Sequence, residues 1–268
     1  MNKIFNKIKI PKKASLEKMR SFLKERNVSI DTNWKYEPRK KYKPSKETYL
    51  PEIEDLYRIY NLIYLNKRTT VLEFGTGWSS LVITRALRDL KIKFLNHAKN
   101  LRRNNLFELF VIDDSKKYLN ISKKRISDFK DLKIIKTHWK CSDVIMEKYN
   151  GQFSMSYKNL HLCNPDFIYL DGPDQFKAKG KIQNFTINHQ DMMPMVNDIL
   201  KFENFLNPGT IILTDGRAAN AYFLKNNFKR KWLYYFDEYQ DQHLFYLDDE
   251  PFGSINNEIL NFYKKKST

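Results

Sequence analysis

Carboxylate side chains stand at the ends of several short apolar runs. Glu73 lies inside the run T-V-L-E-F, directly before two glycines, and three later runs end in Asp113, Asp171 and Asp215. A carboxylate at such a place can accept hydrogen bonds from hydroxyl groups or take up a proton. Because parallel strands present their carboxyl ends at one edge of a sheet, we expect these groups to line one ligand site.

The stretch at residues 69–80, T-T-V-L-E-F-G-T-G-W-S-S, predicts a strand, a glycine turn and a helix. Its apolar part is short and β-branched, which favours a buried strand. Ser79 is the expected N-cap of the following helix. Glycines let a ligand approach the backbone, and a helix N-terminus offers free N–H groups. The turn therefore predicts a nucleotide-like ligand.

Two cofactor classes use such a turn, and an NAD-dependent oxidoreductase is the less favoured. Ser80 stands where a dinucleotide site has its third glycine, and Asp113 lies much further on than the usual ribose acid. The run E-F-G-T-G-W-S-S instead resembles motif I of the class I S-adenosylmethionine (SAM) dependent methyltransferases. The resemblance implies that the cofactor is SAM and that this motif holds it through Glu73, Gly75, Thr76, Gly77 and Ser79.

Three further motifs resemble the same family, in the same order along the chain. I-D-D-S-K-K-Y-L implies a ribose clamp at Asp113, with Asp114 as the second choice. K-C-S-D-V implies an adenine contact through Ser142 and Asp143, although a helix N-cap would also explain Asp143. D-F-I-Y-L-D-G-P places Asp171 beside the cofactor's methyl group.

The resemblance, which covers residues 69–248, implies an α/β fold: a Rossmann-like three-layer sandwich whose seven-stranded sheet is mostly parallel with an antiparallel last strand. Strands are expected at 71–74, 106–113, 132–139, 166–170 and 210–217, followed by an antiparallel pair around 239–242. Helices are expected at 15–23, 49–67 (with Pro51 in the first turn), from 79 onward, at 115–126 and at 196–205. Residues 31–48 are polar and basic and predict a loop. We divide the chain into a basic helical extension, 1–48, and a SAM-binding domain, 49–268.

The predicted activity is methyl transfer from SAM to a small molecule or glycan, at oxygen. A hydroxyl acceptor needs a group that takes its proton, and the candidates are Asp171, Asp215 and His189. Some O-methyltransferases of this fold place Mg²⁺ on acids after the fourth and fifth strands. Gly216 stands where those enzymes usually have Asn, so a metal is not favoured. The motif after the fourth strand, motif IV of the family, reads D-G-P-D. Enzymes that methylate amino groups of nucleic-acid bases have an N-P-P-Y-type motif there, so the sequence argues against that activity.

Charge leaves a second function open. The chain of 268 residues carries a formal charge of +17, and residues 1–49 hold 15 Lys or Arg against 5 Asp or Glu. This pattern suits a solvated surface, but it also suits an RNA-binding protein or RNA methyltransferase with a basic N-terminal arm. A basic loop with Lys177, Lys179, Lys181 and Arg217 favours an anionic or polyhydroxylated small molecule.

The remaining features point to a cytoplasmic protein. No apolar run reaches the length of a membrane span, and the first residues lack the apolar core of a signal peptide. Cys141 and Cys163 have no metal-site spacing and are expected to be reduced thiols. The oligomeric state is left open.

Overall fold

The computed structural model describes residues 3–30 and 51–264. The strands are β1 (Thr70–Phe74), β2 (Glu108–Asp113), β3 (Lys136–Cys141), β4 (Val144–Tyr149), β5 (Gln152–Tyr157), β6 (Phe167–Leu170), β7 (Ala178–Lys179), β8 (Ile211–Asp215), β9 (Trp232–Asp237) and β10 (Gln242–Leu247). The helices are α1 (Leu16–Lys24), α2 (Ile53–Leu65), α3 (Trp78–Ala98), α4 (Lys116–Ser127), α5 (Asp198–Phe202), α6 (Ala218–Asn227) and α7 (Gly253–Lys264).

The main sheet has seven strands in the order β3-β2-β1-β6-β8-β10-β9. Neighbours from β3 to β8 pair in parallel, and β10 is antiparallel to both β8 and β9. The predicted fold, a mostly parallel seven-stranded sheet with an antiparallel last strand, is confirmed.

Apolar layers cover both faces of the sheet. On one face, α1, α2, α3, α4 and α7 pack against a core that includes Val71, Leu109 and Leu213. On the other face, α5, α6 and a second, smaller sheet pack against residues such as Leu72 and Ile212. Successive residues of one strand serve opposite cores because side chains alternate across a sheet.

The second sheet was not predicted. β4 and β5 form an antiparallel hairpin directly after β3, and β7 pairs with β4 in parallel. The alternative in which Asp143 caps a helix is therefore wrong, because a strand follows it. β3 also begins later than predicted, since a 3₁₀ turn occupies Lys130–Ile134.

The helix predictions need several adjustments. Pro51 lies before Glu52, the N-cap of α2, and not in the first turn of the helix. The helix predicted at 196–205 is shorter, because α5 gives way to a 3₁₀ turn at Glu203–Phe205. Helix α7 at the end of the chain was not predicted. The caps at Ser15 and Ser115 are as expected, since each side chain accepts a backbone N–H of its helix.

The described N-terminal residues belong to the core. Ile4, Leu23 and Val28 are at most 3% exposed, and α1 packs on α2. Lys7 forms an ion pair of 2.5 Å with Asp248, next to the end of β10. The loop predicted at 31–48, and with it the proposed domain boundary, lies outside the described residues. In the part of the chain that the structure describes, no helix is both long and apolar enough to cross a membrane.

Candidate cofactor and acceptor site

The glycine turn after β1 is pressed against the turn after β6. Gly75 has a φ of +94°, a conformation that L side chains rarely adopt, and a Cβ on Gly172 would lie 2.7 Å from its Cα. The Gly75 N–H donates to the carbonyl of Ile112 in β2 at 2.8 Å. The carboxyl ends of β1, β2 and β6 therefore lie close together, and the turns after β1 and β6 contact each other through backbone atoms.

Glu73 stabilises the glycine turn through buried hydrogen bonds. Its side chain is fully buried, and its two carboxyl oxygens accept hydrogen bonds from Ser79 Oγ at 2.5 Å and Ser80 Oγ at 2.6 Å. Burial raises the pKa of Glu73 to about 8, and the two serine hydroxyls partly oppose this effect. Glu73 thus fixes the first turn of α3. Its predicted contact with the cofactor stays a prediction.

The start of α3 differs from the prediction. Gly77, not Ser79, is the N-cap, and Ser79 uses its hydroxyl on Glu73. Thr76 Oγ1 lies 3.0 Å from Ser80 Oγ, which ties the turn to the helix. The serines are helical residues that bind a buried acid, a role that a local capping pattern does not reveal.

Helix α4 holds the turn from the side, a contact that sequence reasoning missed. Arg125 Nη1 donates to the carbonyl of Gly77 at 3.0 Å, and Ser122 Oγ donates to the same carbonyl at 3.3 Å. The Arg125 guanidinium also lies 4.2 Å from the ring centroid of Trp78. Ser122 and Arg125 are three residues apart and so share a helix face, but nothing in the sequence names their partner.

Asp113 lies at the end of β2, beside the glycine turn. Its Oδ1 accepts the N–H of Ser115 at 2.6 Å, and the backbone N–H of Thr76 also acts on it. Burial raises the pKa of Asp113 to about 7. Asp114, the second choice for the ribose clamp, has its carboxylate 3.7 Å from Lys177 Nζ. Of the two acids, Asp113 is the one that the structure places at the turn.

The basic loop that carries Lys177 and Lys179 crosses the ends of β2 and β3. Lys177 pairs with Asp114, and Lys179 Nζ lies 2.6 Å from Asp143, which is exposed. Ser142 is buried, and its Oγ accepts the N–H of Asn159 at 2.9 Å. Two lysines assigned to an anionic acceptor thus bind acids of the protein itself. Their charge gives little support to an anionic acceptor.

Asp215 belongs to a hydrogen-bonded network at the carboxyl edge. Tyr169 Oη donates to its Oδ2 at 2.9 Å, and Gln242 Nε2 donates to its Oδ1 at 3.2 Å. The same Gln242 nitrogen donates to Oδ1 of Asp55 on α2 at 2.9 Å. Sequence reasoning missed both Asp55 and Gln242, because helix α2 and strand β10 are far apart along the chain.

The acids of this edge differ in their affinity for a proton. Burial, followed by the charge of Asp215, raises the pKa of Asp55 to about 9. Burial and the same neighbour raise the pKa of Asp171 to about 7, while Arg217 lowers it. Burial also raises the pKa of Asp215 to about 6, against the hydrogen bonds from Tyr169 and Gln242. The Asp171 side chain nevertheless keeps contact with solvent.

His189 lies in an exposed loop, and its Nδ1 interacts with the backbone N–H and the carboxylate of Asp191. Each oxygen of Asp215 accepts one hydrogen bond, from Tyr169 or from Gln242. Within residues 3–30 and 51–264, no group of three or more His, Cys, Asp or Glu is arranged to hold a metal. Cys141 and Cys163 are free thiols.

Comparison with known proteins gives distant similarities in structure. No family model and no curated protein matches the sequence. An O-methyltransferase from Bacillus cereus in complex with SAH is 13% identical, covering 92% of this chain and 96% of its own, with a TM-score of 0.39. The O-methyltransferase TomG from Streptomyces achromogenes, in complex with SAM, is 11% identical, covering 92% and 95%, with a TM-score of 0.40. The SAH-bound methyltransferase PaMTH1 from Podospora anserina is 13% identical, covering 74% and 80%, with a TM-score of 0.42. Similarities at this level support no inference about activity.

Proposed function

We propose that this chain is a SAM-dependent methyltransferase that transfers a methyl group to an oxygen of a small-molecule or glycan acceptor. The observation that carries this proposal is the juxtaposition of the glycine turn and Asp113 at one sheet edge, within the strand order described above. Ligands of open α/β sheets bind at this edge.

The residues at the turn fit a nucleoside cofactor. Gly75 and Gly172 let the turns after β1 and β6 pack backbone against backbone, and the N-terminus of α3 begins beside them. Asp113 is half-buried, so its carboxylate can still accept hydrogen bonds from ribose hydroxyls. Ser142 and Asp143 follow β3 and are assigned to the adenine side.

Bound SAM supplies an already activated methyl group, so the protein mainly has to align the acceptor and exclude water. Asp171 receives the proton of the acceptor hydroxyl, because it is open to solvent and its pKa of about 7 lets it exchange a proton near neutrality. Asp215 helps to hold the carboxyl edge of the sheet in place, because it accepts hydrogen bonds from Tyr169 and Gln242. Arg217 donates to the Pro173 carbonyl at 2.7 Å and so fixes the turn that carries Asp171.

The cofactor assignment is tested by titrating the full chain with S-adenosylhomocysteine (SAH) in a calorimeter. Asp113→Ala should weaken binding about a hundredfold, since two hydrogen bonds to a carboxylate contribute about 3 kcal/mol. Asp114→Ala is the matched control and should stay within a few fold, because that acid binds Lys177. Absence of SAH binding at millimolar concentration would refute the function. The reverse order of the two variants would shift the ribose clamp by one residue.

A further inference from the structure

A pocket of about 270 Å³, lined by polar residues, lies at the opposite edge of the main sheet, where the strands begin. Thr70 opens β1, and the other residues precede β2, β6 and β8. Two guanidinium groups, four amides and one hydroxyl line it, and carboxylates and apolar side chains do not: Thr70, Arg102, Arg103, Asn104, Asn105, Asn164 and Asn207. The lining therefore carries two positive charges and many hydrogen-bonding groups.

The side chain of Arg103 is held in a fixed position in the pocket wall. Its side chain is only 6% exposed. Its Nη2 donates to Thr70 Oγ1 at 2.9 Å and to the carbonyl of Asn164 at 2.7 Å, which fixes the plane of the guanidinium. Both hydrogen bonds use Nη2, so Nη1 keeps its donors for another acceptor. A fixed guanidinium loses little entropy when it binds an oxyanion.

The carboxylate of Asp166 lies nearby, but it does not accept a hydrogen bond from Arg103. Its oxygens accept hydrogen bonds from the backbone N–H groups of Thr69 and Thr70 and from the hydroxyls of Thr69 and Tyr263. Arg103 Nη2 lies 3.8 Å from it, beyond hydrogen-bonding distance. Asp166 thus ties β6 to β1 and leaves the guanidinium with unused donors.

Three other lining side chains are free to bind a ligand. Arg102 and Asn104 are exposed, and Asn207 also lines the pocket. None of the three makes a side-chain hydrogen bond or ion pair with another described residue. An amide both donates and accepts, so it suits a hydroxyl group, whereas a guanidinium suits a phosphate.

We propose that this pocket binds a small phosphorylated polyol, such as a sugar phosphate, with the phosphate on Arg102 and Arg103 and the hydroxyls on the asparagine amides. The volume lies just below the usual range for drug-sized ligands, which suits a molecule of this size. Arg103 lies 3.8 Å from the Asp166 carboxylate but keeps its Nη1 donors, and Arg102 adds a second guanidinium, so the pair favours an anion. Asn105 and Asn164 donate to Glu108 and to the Phe205 carbonyl, so Asn104 and Asn207 are the amides left to bind hydroxyl groups.

This site is separate from the proposed active site. Strand β1 runs from Thr70 at the pocket to Phe74 at the glycine turn, and four steps of about 3.3 Å put the two ends about 13 Å apart. A ligand at one edge leaves the other edge accessible, so the pocket ligand and SAH bind the same molecule independently. Failure of one site therefore does not imply failure of the other.

The test is calorimetric titration of the full chain with ribose 5-phosphate, and with ribose and inorganic phosphate as the two halves of that ligand. Ribose 5-phosphate should bind at least tenfold more tightly than either half. Arg102→Ala should weaken its binding at least tenfold, and Asn207→Ala severalfold. Both variants should bind SAH as the unaltered chain does, which shows that they are folded.

Arg20→Ala is the matched control, because Arg20 is another exposed arginine, on α1, and does not line the pocket. It should leave the binding of ribose 5-phosphate unchanged. An equal loss in Arg20→Ala would mean that general charge attracts the ligand, and the proposal would be wrong. Tight binding of an RNA oligonucleotide at this pocket, with a steep dependence on salt and no binding of ribose 5-phosphate, would also overturn it.

Discussion

The buried carboxyl of Glu73 should make the chain less stable as the pH rises, and Glu73→Gln should remove that dependence. In the folded chain, burial raises the pKa of Glu73 from its ordinary value of 4.5 to about 8. Between these two pH values the folded state holds a proton that the unfolded state has lost. Because the unfolded state then binds fewer protons, the free energy of unfolding falls with increasing pH.

The size of the effect follows from the pKa difference. One pKa unit corresponds to about 1.4 kcal/mol, so the ionised carboxylate costs folding about 5 kcal/mol above pH 8. Below pH 4.5 the carboxyl is protonated in both states and contributes nothing to the pH dependence. Glutamine resembles the protonated form: its oxygen can accept one serine hydroxyl, and its N–H₂ can donate to the other. The variant therefore keeps the turn intact while losing the titration.

The measurement is urea unfolding of the unaltered chain and of Glu73→Gln between pH 5 and pH 8. The difference in unfolding free energy should change by about 4 kcal/mol over this range, in favour of the variant at high pH. Asp191→Asn is the matched control, because that carboxylate is 88% exposed, and its difference should stay flat. A flat difference for Glu73→Gln as well would mean that Ser79 and Ser80 hold an ionised carboxylate, and the reasoning above would be refuted.

Three further predictions concern the turn and the N-terminal residues. Gly172→Ala should weaken SAH binding more than tenfold in calorimetry, because its Cβ would lie 2.7 Å from the backbone of the glycine turn; an unchanged affinity would mean that the packing of the two turns does not support the cofactor site. Leu23→Ala should lower the free energy of unfolding in urea by about 2–5 kcal/mol, whereas Leu16→Ala, at a side chain 41% exposed, should change it by about 0.5 kcal/mol or less. Arg125→Ala should weaken SAH binding severalfold by releasing the Gly77 carbonyl, as equilibrium titration can check; an unchanged affinity would mean that α4 does not support the turn.

The sequence was sufficient to predict the elements of the main sheet. Buried parallel strands appear as short, continuous apolar runs, and each here ends in a glycine or an acid, so β1, β2, β6 and β8 were placed within a few residues. The helix caps at Ser15 and Ser115 follow from local hydrogen bonds, which a sequence pattern can encode. Information of this kind depends on neighbours along the chain.

The hairpin of β4 and β5 shows where such information ends. The stretch from Val144 to Tyr157 alternates apolar and polar residues weakly, and the family resemblance supplied no strand there. Its pairing depends on contacts with β7 and with the second core, which form only when distant segments meet. The same limit explains why the local pattern predicts a cap at Ser79: the partner of its hydroxyl, Glu73, is buried by tertiary packing.

The distant contacts also distinguish the two acids at the carboxyl edge that are candidates for the base of the proposed reaction. By position alone, Asp171 and Asp215 are equivalent, since each stands at the end of a strand. The structure separates them, because Tyr169 and Gln242 donate to Asp215, favour its ionised form and occupy both of its oxygens. Asp55 shares the Gln242 amide and, with its pKa raised to about 9, carries a proton at neutral pH, so it adds no negative charge there. On the proposed function, Asp171 is therefore the candidate base, because its side chain is exposed and its pKa is raised to about 7, which would let it exchange a proton near neutrality.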